Sequence, residues 1–248
     1  MSKKSRGSEL EVQDHVADHY VEKRYKGLGL KYHFKVISEM MEGIHGKTLD
    51  VGCGTGVLSE LYPERDIMGV DISRGMLRHH KGKHQFASAD ALPFDDCSFD
   101  SVVCRSVLHH LHSPEKALQE MKRVLKPGGR FVCWETNKSW IASIVRSLTQ
   151  HGDNFSNAHT SFSNLPKLID EYFCDLVVKY QGFVGYPLYG FPDILDFSGY
   201  IPSLFRPCMF LDECLSSIPF VRRLGFAVMI KGRKADRIIC SFDHIDCR

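Results

Sequence analysis

Apolar residues along this 248-residue chain gather in short continuous runs separated by amphipathic stretches, the rhythm of buried strands joined by helices. The runs predict strands near residues 47–52, 66–71, 84–88, 99–105 and 129–136, and the stretches between them predict helices near 55–63, 74–81 and 114–125. The last helix is the best signalled. Ser113-Pro114-Glu115-Lys116 supplies an N-cap, a proline at the first helical position and an early acid; Ala117, Met121 and Val124 recur at helical spacing; Pro127-Gly128-Gly129 stops the element. The alternation predicts an α/β chain with a doubly wound, mostly parallel sheet. Right-handed crossovers bring the C-terminal ends of its strands to one rim, where such sheets bind ligands.

The pattern changes toward both ends. Before the first strand, Val12, Val16, Tyr20 and Val21 stand at near-helical spacing within residues 12–25, followed by Tyr25 and Tyr32-His33. Beyond residue 136, a helix is predicted over 164–173, a strand over 176–184 and a final apolar strand over 225–231. An insertion at 185–224 precedes that last strand. It is dense in aromatics, Tyr186, Tyr189, Phe191, Phe197, Tyr200, Phe205, Phe210 and Phe220, and is broken by Pro187, Pro192, Pro202, Pro207 and Pro219. Three readings stay open for it: a lid over an apolar substrate, a peripheral contact with a membrane surface, or a small satellite core.

Candidate chemistry begins where the first strand ends. Thr48-Leu49-Asp50-Val51-Gly52-Cys53-Gly54-Thr55-Gly56 runs from a buried strand into a glycine-rich loop that opens a helix, the layout of a nucleotide-binding turn. Nineteen positions after Gly52, a second apolar run ends in Asp71, placed to accept from a ribose diol. A dinucleotide fingerprint needs glycine where Val57 stands, and its third glycine comes one residue later than Gly56. Asp50 and Asp71 would repel a pyrophosphate but suit a ligand carrying ammonium and sulfonium charges.

At this point the chain resembles the class I methyltransferases that use S-adenosylmethionine. Four segments between about residues 30 and 132 carry the likeness: LDVGCGTG at 49–56, GVDIS at 69–73, SADALPFDDCSFD at 88–100 and RVLKPGGRFV at 123–132. The resemblance implies a seven-stranded Rossmann-like sheet with the aromatic insertion before its last, antiparallel strand. It implies one methyltransferase domain over 1–248: N-terminal flap helices at 1–45, a cofactor-binding core at 46–136, a substrate-side elaboration at 137–224, the last strand at 225–234 and a tail at 235–248.

By the same resemblance, S-adenosylmethionine is the cofactor and S-adenosylhomocysteine the product. The backbone of Gly52, Cys53, Gly54, Thr55 and Gly56 meets the methionine carboxylate, Asp50 anchors its ammonium and Asp71 clamps the ribose. Asp90 accepts from the adenine amino group while the Ala91 amide meets the ring, and Ile72 and Met76 pack on its face or serve the core. Tyr20 and Tyr25 of the flap are hydroxyl contacts to the methionine end or structural residues. The fourth strand delivers Arg105, Ser106, His109 and His110 to the rim. His109 stands where plant small-molecule O-methyltransferases, a distant likeness, carry a catalytic histidine; with an unperturbed pKa near 6.5, it can take a proton from a hydroxyl or protonated amine at neutral pH. His110 is a second candidate. The alternative for both is a packing or helix-start histidine.

Composition narrows the partners. A formal net charge of +2 disfavours nucleic acid as an obligate substrate, although Arg222-Arg223 and the lysines between 231 and 234 could form local contacts. Nine cysteines without a Cys-x-x-Cys pair read as reduced small hydrophobes, and no Cys/His cluster has convincing metal spacing, so no metal is expected. The first residues lack a signal-peptide pattern and no apolar run is long enough for a membrane span, which points to the cytoplasm, as a monomer or homodimer. The reading is methyl transfer to a small-molecule acceptor with an apolar portion, lipid-linked, isoprenoid or quinone-like. A non-catalytic S-adenosylmethionine-binding module is the alternative. An NAD-dependent oxidoreductase is more remote, since the third glycine is displaced and no Tyr-x-x-x-Lys pair is present.

Overall fold

The computed structural model describes residues 27–137, 139, 164–190 and 202–236. The predicted helix at 12–25, with Tyr20 and Tyr25, lies outside them. The described elements run α1 (Gly27–Met41), β1 (Thr48–Val51), α2 (Val57–Leu61), β2 (Ile67–Asp71), α3 (Arg74–Leu77), β3 (Lys83–Phe86), β4 (Phe99–Arg105), α4 (Pro114–Val124), β5 (Leu125–Thr136), α5 (Leu165–Asp170), β6 (Cys174–Gln181), α6 (Phe205–Ser217) and β7 (Ala227–Arg233). The seven strands form one sheet in the order β3-β2-β1-β4-β5-β7-β6. β3, β2, β1, β4 and β5 are mutually parallel; β7 is antiparallel to both β5 and β6.

Each central strand is buried on both faces, and its side chains divide by alternation. Leu49, Val51, Val102, Cys104, Phe131, Cys133, Val228 and Ile230 enter one core with Leu118, Met121 and Val124 of α4. Val103, Val132, Trp134, Ala227 and Met229 enter the other, under Tyr32, Val36, Ile37 and Met40 of α1. Asp50 lies between Leu49 and Val51 and so faces the α1 side. Register places the strand ends level: Val51 pairs with Val70 and with Cys104. Gly52, Asp71 and Arg105, one residue further on, therefore reach the same rim.

Several boundaries differ from expectation for identifiable reasons. α1 falls within the flap helices expected over 1–45 but beyond the 12–25 stretch whose spacing predicts a helix; Tyr32, His33, Val36, Ile37, Met40 and Met41 are its buried stripe, and Gly27 and Gly29 weaken the start of the pattern. The predicted helix at 74–81 is the four-residue α3. β3 ends at Phe86 instead of residue 88, and all four of its residues are exposed at the sheet edge. β5 starts at Leu125 rather than 129: Phe99 pairs with Leu125 and Ser101 with Arg130, so Pro127-Gly128-Gly129 is a bulge within the strand. Gly128, at φ 71°, supplies the left-handed residue it requires.

The 185–224 segment contains a π-helical turn (Tyr186–Gly190), 3-10 turns at Pro202–Leu204 and Arg222–Leu224, and α6. Tyr186, Tyr189, Cys208 and Met209 are buried with Trp134 and Phe226. Asp212, on the inward side of α6, accepts from the amides of Val184 (2.7 Å) and Gly185 (3.0 Å), fastening the helix to the start of the π turn.

Candidate functional site

The chain leaving β1 keeps pairing with β2: the amides of Gly52 and Cys53 both donate to the Val70 carbonyl, at 2.8 and 3.0 Å. Gly52 then turns at φ 72°, and a Cβ there would come within 2.0 Å of a Val107 methyl. Gly54, at φ 53°, has the opposite environment, since an added Cβ would meet nothing within 4 Å. Bare backbone at Gly54 thus faces open space, the condition for close approach of a ligand. Gly56 caps α2 in the left-handed conformation, and Thr55 is half-buried beside it.

Asp71 ties the loop to the next turn. Its Oδ2 accepts from the Gly54 amide and its Oδ1 from the Ser73 amide, both at 2.8 Å. The side chain of Ser73, not Asp71, caps α3, accepting from the Met76 amide at 3.1 Å. Burial raises the Asp71 carboxyl above its ordinary range, against the pull of these amides and of His110 nearby. Each carboxylate oxygen has a further lone pair, so Asp71 can also receive ribose hydroxyls.

Asp50 is the electrostatic centre of the site. It is 6% exposed and lines a small cavity with Ile37, Met40, Gly52, Cys53 and Arg105. Burial raises its pKa from 3.8 to about 7; the Arg105 charge opposes that rise and the Asp71 charge adds to it. Burial also pushes the Cys53 thiol up, leaving it neutral. Two acids, with one guanidinium as counter-charge among these three side chains, would gain from a cationic ligand. The ammonium and sulfonium of S-adenosylmethionine fit that deficit, the open space at Gly54 lets a ligand lie close against the backbone, and Asp71 fits a ribose. The Gly52, Cys53, Gly54 and Gly56 amides expected to meet the methionine carboxylate instead donate to the Val70 carbonyl, Asp71 and the Cys53 carbonyl.

Beyond β4 the chain turns sharply. Ser106 adopts φ 57°, unusual for a side chain with a Cβ, and donates its amide to the Trp134 carbonyl at 2.8 Å. The next residues fold around Glu135. Its Oε1 accepts from the amides of Val107 and Leu108, each at 2.8 Å, and its Oε2 lies 2.6 Å from His109 Nδ1. Glu135 is wholly buried, which alone would raise its carboxyl; the His109 ring and the two amides outweigh that and hold it below its usual range. An ionised Glu135 fixes the proton on Nδ1 and leaves Nε2 of His109 as the basic nitrogen. His110 packs against His109, with ring centroids 4.0 Å apart.

Sequence reasoning did not single out Glu135. Its signal was an acid inside the apolar run Phe131-Val132-Cys133-Trp134-Glu135, two strands from the glycine loop. Asp90 lies beyond β3 in a turn, where Ser88 Oγ donates to its Oδ1 at 2.5 Å. The Ala91 amide closes that turn on the Ser88 carbonyl at 3.1 Å. Ile72 is half-buried and Met76 buried, on either side of Ser73. His80 and His84 are four apart with ring centroids at 4.7 Å, yet no group of three or more potential ligands able to hold a metal occurs among the described residues.

Residues 49–133 match the family model described as "Methyltransferase domain". Demethylmenaquinone methyltransferase of Symbiobacterium thermophilum is 34% identical over 130 residues, covering 46% of this chain and 52% of that protein. The ubiquinone/menaquinone biosynthesis C-methyltransferase UbiE of Desulfotalea psychrophila is 37% identical over 121 residues, 43% of this chain and 49% of that one. The chain thus spans about half the length of these curated relatives. Among solved structures, a SAM-dependent methyltransferase from Thermotoga maritima aligns with TM-score 0.63 at 20% identity, covering 91% of this chain and 99% of that one. Phosphoethanolamine N-methyltransferase 2 of Haemonchus contortus, solved with S-adenosylhomocysteine, aligns with TM-score 0.55 at 16% identity over 81% of this chain and 53% of that one. These two structures share the fold. The matched segment, about a third of the chain, carries the glycine loop, Asp71 and the His109 turn, and over these residues the chain is similar to the methyltransferase domain.

Proposed function

We propose that this chain transfers the methyl group of S-adenosylmethionine to a small acceptor with an apolar portion, a quinol-like ring above all, releasing S-adenosylhomocysteine. The observation that carries the reading is the shared rim: the buried acids Asp50 and Asp71 beside the open Gly54 backbone, and the His109–Glu135 pair one turn beyond β4. When bound, the cofactor supplies an electrophilic methyl group on a positively charged sulfur. Asp50 holds the ammonium and Asp71 the ribose beside the bare Gly54 backbone, which fixes the direction from which an acceptor must approach. Apolar lining keeps water from the charged groups, and Arg105 balances the acids before the ligand arrives.

His109 takes the acceptor's proton. With Nδ1 held by Glu135, Nε2 removes the proton of an acceptor hydroxyl; the electron pair left on oxygen, or delocalised to a ring carbon, forms the new bond to the methyl group, and the pair of the breaking carbon–sulfur bond stays on sulfur. The names of the curated relatives support a quinol-like acceptor, and the aromatic elaboration at 185–224 supports an apolar one. Incubation with donor labelled in the methyl group and a panel of detergent-solubilised demethylated quinols tests the reading. Label should pass to an organic-soluble product; S-adenosylhomocysteine binding without transfer to any apolar acceptor would reject it.

A further inference from the structure

The outward side of α6 carries an apolar stripe. Cys208, Met209 and Asp212 are buried. Pro207, Phe210, Leu211 and Cys214 are exposed, at successive offsets of three, four and seven residues, so they form a stripe on the opposite face of the helix. Phe210 is 72% exposed, and the stripe continues into Ile218 at 44% and Phe220 at 91%. A helix packed on a domain by one face ordinarily turns polar residues outward.

The charges flanking this stripe are mostly basic. Arg206, Arg222 and Arg223 are exposed beside it. The two acids of residues 204–224 are turned to other tasks: Asp212 is buried against the Val184 and Gly185 amides, and Glu213 is paired with Lys35 at 2.6 Å. Apolar side chains rimmed by arginines match a bilayer whose surface is anionic. Among the described residues no helix is long and apolar enough to cross a membrane, so the fitting geometry is α6 lying in the surface plane.

We infer that residues 204–223 dock the protein on an anionic lipid surface. Phe210, Leu211, Ile218 and Phe220 enter the headgroup boundary while Arg206, Arg222 and Arg223 pair with lipid phosphates. Because Asp212 fastens α6 to the π turn, and Tyr186 of that turn packs edge-on against Trp134 at 5.4 Å, the lipid-facing helix is tied to the strand that carries Glu135. As a route for an apolar acceptor the inference rests on the methyl-transfer reading, whereas lipid contact itself needs neither donor nor acceptor.

Vesicle co-sedimentation of the full chain tests it, using phosphatidylcholine alone and equal parts of phosphatidylcholine and phosphatidylglycerol. The protein should sediment with the mixed vesicles and far less with phosphatidylcholine. Replacing Phe210→Ser together with Phe220→Ser should lower binding by roughly tenfold or more. Each of Arg222→Gln and Arg223→Gln should lower it by about fivefold, an effect that salt erases. These side chains are exposed, so melting temperature and S-adenosylhomocysteine affinity should stay unchanged. Absence of vesicle binding, or equal binding by the phenylalanine variant, overturns the inference. A concentration-dependent dimer that Phe210→Ser dissociates would also overturn it, by assigning the face to a second copy. S-adenosylhomocysteine binding without lipid binding removes this inference alone; lipid binding without S-adenosylhomocysteine binding removes the methyl-transfer reading alone.

Discussion

His109 Nδ1 lies 2.6 Å from Glu135 Oε2, while the other oxygen of Glu135 receives two backbone amides from the same turn. One buried carboxylate therefore sets both the path of the backbone and the tautomer of the imidazole. Replacing Glu135→Gln keeps the shape but removes the charge that favours an Nδ1 proton. Turnover should fall by roughly 10²-fold with little change in S-adenosylhomocysteine affinity, and His109→Ala should fall at least as far. Steady-state kinetics paired with calorimetric binding checks both; undiminished turnover in His109→Ala would remove the proton-transfer role.

Glu135 also makes stability depend on acid. Its carboxyl is held below the ordinary 4.5 in the folded protein, so its contribution is complete above that value and is lost as pH falls through the lower, folded-state value. Chemical denaturation between pH 7 and pH 3 should show a falling midpoint, and Glu135→Gln should flatten part of that fall.

Asp50 has the opposite sign. With 3.8 as its ordinary value and about 7 in the fold, the unfolded chain releases between these limits a proton that the folded protein keeps. Stability without ligand should therefore decline as pH rises across that window, and Asp50→Asn should melt higher than the parent at neutral pH. The same substitution removes the partner of the ammonium. S-adenosylhomocysteine binding should weaken by roughly 10- to 100-fold, the equivalent of about 1.5–3 kcal/mol for a hydrogen bond to a charged group. Calorimetry in buffers of different ionisation enthalpy should further show proton release on binding to the parent near pH 6.5, absent in Asp50→Asn.

Gly52 and Gly54 separate structure from ligand contact. Ala at position 54 would meet no protein atom, so Gly54→Ala should cost about 1–2 kcal/mol for its left-handed backbone, retain the fold and weaken S-adenosylhomocysteine binding. Ala at position 52 would strike Val107, so Gly52→Ala should destabilise more, with partial recovery in the Gly52→Ala, Val107→Ala double variant. Thermal melts with and without ligand distinguish the two glycines.

The clasp on α6 gives a stability test away from the rim. Asp212→Ala strips the acceptor from the Val184 and Gly185 amides, which should cost roughly 1–3 kcal/mol and loosen the π turn. Hydrogen exchange at residues 184–186 should accelerate while exchange in β1 and β4 stays the same.

The central sheet was legible because its strands are buried on both faces, so continuous apolar runs coincide with elements. The glycine loop was legible because its residue types are dictated by backbone path. α1 was less so: its stripe is clear from Tyr32 onward, but glycines open it, and its role depends on packing over β5 and β7. Glu135 is a harder case. An acid in an apolar strand is an oddity until the turn after β4 folds against it, and that contact joins residues 26 positions apart. The bulge at Pro127-Gly128-Gly129 was hidden for a related reason, since residues that stop a helix also suit an irregular strand.

The absent side chain at Gly52 has a mechanical consequence. Val107 fills that space, and Val107 precedes the imidazole held by Glu135, so the loop that grips the donor and the turn that presents the base interlock like adjacent teeth of a gear. Neither can shift without displacing the other. A rearrangement that admits an acceptor therefore moves both segments together or neither, which keeps the two halves of the chemistry in alignment.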